Sequence, residues 1–233
     1  YIGSRDDRTF IAPAFTFRSD DRDTQLTVLG EYSDLKAGGS RGFLTLNDPL
    51  GRARITDIEQ GDPRYRDLDQ EQARIGYEFK HRFNENLEVR QNLRYQSIDT
   101  DMKYTSVFGL SADGLSATRG TGRIIDEARG IAVDNQVEGR FETGEVAHTV
   151  LGGLDYTYLD SQFRYGGGAA PNLDLATRNY GRLPIAPVTD VSVLNTATHQ
   201  QQVGLYVQDQ AEWQRFVLVG GLRYDWLDTD TLV

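Results

Sequence analysis

The sequence predicts an all-β protein, and within that class an antiparallel segment of a transmembrane β-barrel. Three observations carry the prediction. Apolar and polar residues alternate with period two through eight segments, and no segment offers a convincing helical period. Aromatic residues bracket four short polar turns, as the girdles at the two rims of a lipid-facing band require. Connections alternate between these short turns and links of thirty residues or more, matching the periplasmic and extracellular ends of an outer-membrane barrel.

The first strand is predicted near Thr9–Arg18, with Ile11, Phe15 and Phe17 on one face and Pro13 imposing an edge, a bulge or a local break. After the turn Ser19–Asp23, the second runs near Thr24–Ser33 and carries Leu26, Val28 and Tyr32 outward. The third, near Gln72–Arg82, sets Ala73, Ile75, Tyr77 and Phe79 against Arg74, Glu78, Lys80 and Arg82. Phe83 and Asn84-Glu85-Asn86 turn the chain into the fourth, Leu87–Tyr95, which can continue to Phe108. Its faces oppose Leu87, Val89, Leu93 and Tyr95 to Glu88, Arg90, Asn92 and Arg94.

The fifth strand, near Gly130–Phe141, opposes Ile131, Val133 and Val137 to Asp134, Gln136, Glu138 and Arg140. Glu142–Glu145 leads to the sixth, His148–Tyr158, with Asp155 and Thr157 inward. The seventh, Gln202–Trp213, and the eighth, Phe216–Trp226, complete the set, with Arg223 and Asp225 on the polar side. Eight steps from Leu87 to Tyr95, at about 3.3 Å each and tilted near 40°, climb roughly 20 Å, close to the height of a lipid-facing band. The links about Asp34–Glu71, Gln96–Arg129 and Phe163–Gln201 are read as long outer loops. A soluble sandwich also alternates. However, ten charged residues on one face cannot together fill a dry core, which favours the barrel.

Composition narrows the function classes. Mean hydropathy of −0.53 and 38% hydrophobic residues exclude a helical membrane protein, but a barrel needs apolar residues only at alternate positions. A net charge of −10 argues against nucleic acid as a partner. Cysteine is absent, so neither disulfides nor thiolate metal sites are available, and the three histidines (His81, His148, His199) are not clustered. His81 and His148 lie beside short turns, where interfacial structural roles are expected. Asn47-Asp48 and Asp99 with Asp101 lack the ligand spacing of a calcium loop, and no metal site is expected. No Gly-x-Ser-x-Gly, His-Glu-x-x-His or phosphate-loop pattern suggests an enzyme.

Four segments in order resemble the TonB-dependent siderophore receptors. They are Phe10–Arg18, Arg90-Gln91-Asn92-Leu93-Arg94-Tyr95, Gly204–Gln210 and Gly220–Trp226. Within that family the likeness is to ferrichrome-type, hydroxamate-siderophore receptors, and it covers essentially the whole chain. The resemblance implies a barrel of about 22 strands plugged by an N-terminal domain. Residues 1–233 would then supply eight consecutive strands, expected as a curved open sheet, with the plug domain and the remaining strands absent. It further implies import of ferric siderophores across a Gram-negative outer membrane, energised through TonB, which binds a missing N-terminal region. Outer-membrane lipid would surround a monomeric barrel. No cofactor is expected, because iron arrives already chelated.

The same resemblance suggests ligand-binding residues. A Gly-aromatic-Leu step aligns with Gly42-Phe43-Leu44, with Arg41 replacing an aromatic one step earlier. An aromatic-Gly-aromatic step aligns with Phe108-Gly109-Leu110, where the second aromatic is lost. A further aromatic aligns with Tyr165. Phe43, Phe108 and Tyr165 are therefore candidates for the siderophore wall, with Arg41 and Leu110 as altered positions. Arg41 would favour a more anionic chelate. Lumen- or plug-facing roles are expected for Arg74, Glu78, Arg90, Arg94, Asp134, Glu138, Arg223 and Asp225. Two rival functions stay open at this point: a passive porin-like channel and a soluble β-rich ligand-binding module.

Overall fold

A computed structural model describes residues 5–38, 42–47 and 51–233; Arg41 and Asp48 lie outside the described residues. Among them are eleven strands and no helix. β1 (Asp6–Ile11) and β2 (Ala14–Arg18) pair end to end along one edge of β3 (Thr24–Ala37). β4 (Phe43–Asn47) and β5 (Ala53–Glu59) form a separate hairpin. β6 (Asp67–Asn84), β7 (Leu87–Leu110), β8 (Ser116–Thr143), β9 (Val146–Asp174), β10 (Leu194–Trp213) and β11 (Phe216–Leu232) follow in antiparallel succession. Counting β1 and β2 as one, the curved open sheet has the eight tandem strands that the alternation predicted.

The break between β1 and β2 has a local cause. Gly30 donates its N–H to the Pro13 carbonyl at 2.9 Å, and proline has no N–H to return the bond. The register survives the interruption, since Ile11 lies opposite Tyr32 and Ala14 opposite Leu29. Pro13 is thus a local break and not a bulge.

At one end of the sheet the turns are tight. Gly144 and Gln214 adopt left-handed φ angles of 66° and 52° to close the β8–β9 and β10–β11 hairpins. Side-chain oxygens of Asp21 and Asn84 cap the other two turns by accepting backbone N–H groups of Asp23 and Asn86. The aromatic edging is assembled here: Trp213 stacks on Phe216, Phe141 stacks on His148, and His81 meets Phe83 edge-on. His81 hydrogen-bonds Thr24, and His148 bridges Thr143 and Asp209, so both histidines are structural at this rim.

The opposite end departs from the expectation of long loops. The span Gln96–Arg129 is almost entirely strand, and only Ser111–Leu115 remains as a turn, closed by Gly114 at φ 68° and by Asp113. β7, β8 and β9 run 24, 28 and 29 residues, so a blade of three strands rises well past the lipid-facing band. The sequence hid this because the alternation inverts at the upper aromatic rim. Below it, Leu93, Tyr95, Val133, Ile131, Tyr156 and Tyr158 share the outer face with Val28 and Tyr32. Above it the same face carries Asp99, Asp101, Lys103, Arg123, Glu127, Asp160 and Arg164. Arg123 pairs with Asp101 at 2.7 Å, His199 with Asp160 at 2.8 Å, and Arg164 with Glu127. The hydrogen bond from Arg123 holds the Asp101 carboxyl below its ordinary pKa.

The two remaining connections fold onto the outer face of the blade. Leu44 and Ile58 of the β4–β5 hairpin bury against Ala117 and Leu173, with Val107, Leu175 and Tyr180 packed around them. Beside this small core lies a nearly dry ion pair, Arg119 with Asp62 at 3.4 Å, whose side chains are 1% and 2% exposed. Arg119 also donates to the Pro171 carbonyl at 2.8 Å, while Asp62 accepts the N–H groups of Arg64 and Gly181. Tyr65 accepts a bond from the Val188 N–H at 3.0 Å, and Arg178 clamps Asp57 bidentately at 2.9 Å. The links therefore form an assembled buttress, and the strands themselves make the inner wall.

Candidate ligand-facing wall

The inner face divides into two zones. Near the tight turns it is a ladder of alternating charge: Lys80 pairs with Glu88, Glu88 with Arg90, Arg90 with Glu138, and Glu138 with Arg140, at 2.5–2.7 Å. Further along, Tyr206 donates to Asp134 at 2.8 Å, and Arg223 joins Asp155 and Asp225 at 2.6 Å. Gly153 and Gly204 leave room for these side chains. A Cβ on Gly204 would approach Asp155 Oδ2 to 2.7 Å, and one on Gly153 would strike the Tyr206 ring. Arg74 reaches Glu31 at 3.4 Å.

These pairs place Arg74, Arg90, Asp134, Glu138, Arg223 and Asp225 together on one face, and register adds Glu78 and Arg94 to it. Glu78 and Arg94 make no ion pair among the described residues. They border a depression of about 710 Å³ whose floor is small, with Ala12, Ala14, Gly76 and Ala132. A shallow floor ringed by charge suits a second polar surface and cannot serve as a dry core.

Above the charged zone the inner face becomes neutral. On β7 it carries Gln96, Ile98, Thr100, Met102, Tyr104, Ser106 and Phe108. The opposing positions of β8 include Gly120, Gly122 and Ile124, and those of β9 include Phe163, Tyr165 and Gly167. The Phe108 ring covers Gly120, and the Tyr104 ring covers Gly122, where a Cβ would come within 2.6 Å of the Tyr104 hydroxyl. Glycines on the neighbouring strand thus form the bed over which the two rings reach. Burial, and then the neighbouring Tyr165 phenol, push the Tyr104 phenol above its ordinary pKa.

Two of the ligand residues expected from sequence, Phe108 and Tyr165, share this patch. Tyr104 joins them unforeseen, although its spacing of four from Phe108 puts both on one strand face. Leu110 does not join. Phe108 sits at a bulge between Val107 and Gly109, so Leu110 pairs with Ala117 and points to the outer face. Phe43 opens the β4 hairpin on the outer side of the blade, exposed and without ring contact to Phe108 or Tyr165 among the described residues. Arg41 lies outside the described residues.

A large effect is expected at Gly122. In the complete protein, Gly122→Val should lift Tyr104 off its bed and weaken the chelate binding expected from the resemblance roughly tenfold, about 1.4 kcal/mol. Titration of the purified protein measures this, and circular dichroism checks that strand content is retained. Unchanged affinity would remove Tyr104 from the wall.

An outward apolar band with aromatic rims, a charged inner face and tight turns at one end define a class: the wall of an outer-membrane β-barrel. The family is defined by sequence. Residues 13–232 match the family described as TonB dependent receptor-like, beta-barrel, and the chain belongs to that family. It is 28% identical over 263 residues to the Ferrichrome outer membrane transporter/phage receptor of Escherichia coli (strain K12), covering 99% of this chain and 34% of that protein. It is 29% identical over 229 residues to the Ferrioxamine B receptor of Salmonella typhimurium (strain SL1344), covering 95% of this chain and 31% of that protein. The chain therefore spans about a third of these relatives' length.

Solved structures agree on the fold. FpvA of P. aeruginosa, bound to a heterologous pyoverdine, superposes with a TM-score of 0.85 at 15% identity, over 99% of this chain and 31% of that one. The siderophore receptor PiuA from Acinetobacter baumannii gives 0.78 at 18% identity, over 99% and 36%.

Proposed function

We propose that this chain is part of the wall of an active transporter that imports ferric siderophores of the hydroxamate class across the outer membrane. The observation that carries the reading is the neutral aromatic cup of Tyr104, Phe108 and Tyr165 standing above a charged inner belt. A chelate whose iron is already fully coordinated needs flat apolar walls and a few hydrogen bonds, not metal ligands. The names of the ferrichrome and ferrioxamine B relatives support the same ligand class.

In this reading residues 1–233 form part of a barrel domain, completed elsewhere in the protein by a plug and by a segment that engages TonB. Glu78 and Arg94, free of ion pairs among the described residues, then face the plug. Arg74, Arg90, Asp134, Glu138, Arg223 and Asp225 hold the belt rigid around it. Energy coupling separates this transporter from a passive channel.

The test uses the full-length receptor as the sole siderophore receptor of a Gram-negative host. Uptake of a radiolabelled ferric hydroxamate should require both the receptor and TonB, and should stop when the proton-motive force is collapsed. Uptake that persists without TonB would establish a passive channel instead.

A further inference from the structure

The upper inner wall has an unexpected charge distribution. On β6–β10, from Gln72 upward, its residues are amides, hydroxyls, glycines and apolar or aromatic groups, among them Gln70, Gln72, Ile98, Thr100, Ser161 and Thr198. Among the described residues of that surface one side chain is charged: Asp126. It lies across from Thr100 on β7 and from Phe163 on β9, one row below Tyr165. Every other acidic group at this height on β7–β9 faces outward; there Asp101 and Glu127 pair with Arg123 and Arg164, and Asp160 contacts His199. Asp126 is exposed to the lumen and has no hydrogen bond or ion pair among the described residues. Thr100, its cross-strand neighbour, is itself engaged by Gln70 at 3.2 Å.

Resting on the import reading above, we propose that Asp126 is the charge-selecting residue of the vestibule. It favours a ferric trihydroxamate that carries a pendant ammonium over neutral or anionic chelates. The chemistry follows from charge balance. Three singly ionised hydroxamates neutralise ferric iron, so the core brings no charge, and an attached ammonium makes the chelate cationic. Three doubly ionised catecholates leave an anionic chelate, which this part of the wall, with no inward cation on β6–β10 at this height and one carboxylate, repels; Arg8 on β1 faces inward in the same row, four strands away from Asp126. The sign is opposite to that expected from Arg41, which lies outside the described wall.

An ammonium within reach of Asp126 gains a charge-assisted hydrogen bond at an exposed carboxylate whose cross-strand neighbour is Phe163. The preference should therefore be modest and salt-sensitive.

Full-length receptor in detergent is titrated with two probes: a linear ferric trihydroxamate bearing a free terminal amine, and the same chelate N-acetylated. The wild type should bind the amine form roughly fivefold to tenfold more tightly, with the ratio falling as salt rises. Asp126→Asn should bring the ratio to about one by weakening the amine form alone, and Asp126→Glu should keep most of it. Equal affinity of the wild type for both probes would overturn the inference while leaving the import reading intact. A preference that survives in Asp126→Asn would overturn it too. Failure of the wild type to bind either probe would overturn the hydroxamate import reading itself.

Discussion

Replacing Arg119 with leucine should release the outer buttress from the blade. Arg119 and Asp62 are almost completely buried, and removing the cation leaves a carboxylate in a dry pocket with only the N–H groups of Arg64 and Gly181 as partners. Breaking a buried pair from one side costs about 3–5 kcal/mol, far more than the pair contributes relative to an apolar replacement. That cost is comparable with what the small core of Leu44, Ile58, Ala117 and Leu173 supplies, so the segments around Asp62 and Tyr180 should open locally. Hydrogen exchange of the full receptor should show faster exchange at Tyr65 and Val188, with the membrane strands unchanged. The double variant Arg119→Leu with Asp62→Leu should recover most of the protection. Equal protection in wild type and single variant would show that the ion pair is not what secures these links.

Leu154→Arg should impair insertion at the other end of the energy scale, where lipid is the solvent. Leu154 sits midway along the membrane part of β9 on the outer face, opposite Asn135 and Leu205, and is 48% exposed in this open sheet. An arginine at the centre of a barrel's lipid face costs about 2–4 kcal/mol, whereas lumen positions tolerate charge. Thr157→Arg, three residues along and facing inward, is the control and should be close to neutral. Urea-dependent unfolding of the full receptor in lipid vesicles separates the two. Equal destabilisation at both positions would contradict the assignment of faces.

The membrane part of the fold was legible because lipid imposes a strict pattern. Leu93 and Tyr95 against Arg94 and Gln96 admits one orientation, and Phe141 or Trp213 beside a polar turn marks a rim. The upper blade was not legible for a related reason. Past Tyr95, Tyr158 and Trp226 both faces meet water or loops, and the polarity inverts, so Asp99–Tyr104 and Arg119–Ala128 resemble loops when judged by outward hydrophobicity alone. Their strand character comes from pairing across β7, β8 and β9, which a single segment cannot reveal.

The residues of the proposed ligand wall were brought together only in part by the sequence. Phe108 and Tyr165 were indicated by a family pattern, whereas Tyr104 gains its position from Gly122 on the neighbouring strand. Leu110 was separated from Phe108 by a bulge, and no periodicity announces that extra residue. The buttress depends on contacts such as Asp62 with Arg119 and Leu44 with Leu173, whose partners are far apart in the chain. The eight-strand sheet itself, its order and its tight-turn rim all follow from alternation and turn chemistry.

The central claim is that one face of this sheet meets lipid from the tight-turn rim to Tyr95, Tyr158 and Trp226, and that the faces exchange polarity above it. Residues 1–233 contain no cysteine, so single cysteines carrying nitroxide labels are introduced there in a full receptor from which any cysteine elsewhere has been replaced. Labels along β9 from Val150 to Arg164 are tested for collision with oxygen, which partitions into lipid, and with a water-soluble nickel chelate. Oxygen accessibility should alternate with period two, high at Val150, Gly152, Leu154 and Tyr156, and the outward maxima should give way to nickel accessibility from Asp160 onward. A trace that reads water at Leu154 and Tyr156, or that keeps the oxygen maxima through Gln162 and Arg164, would contradict the account.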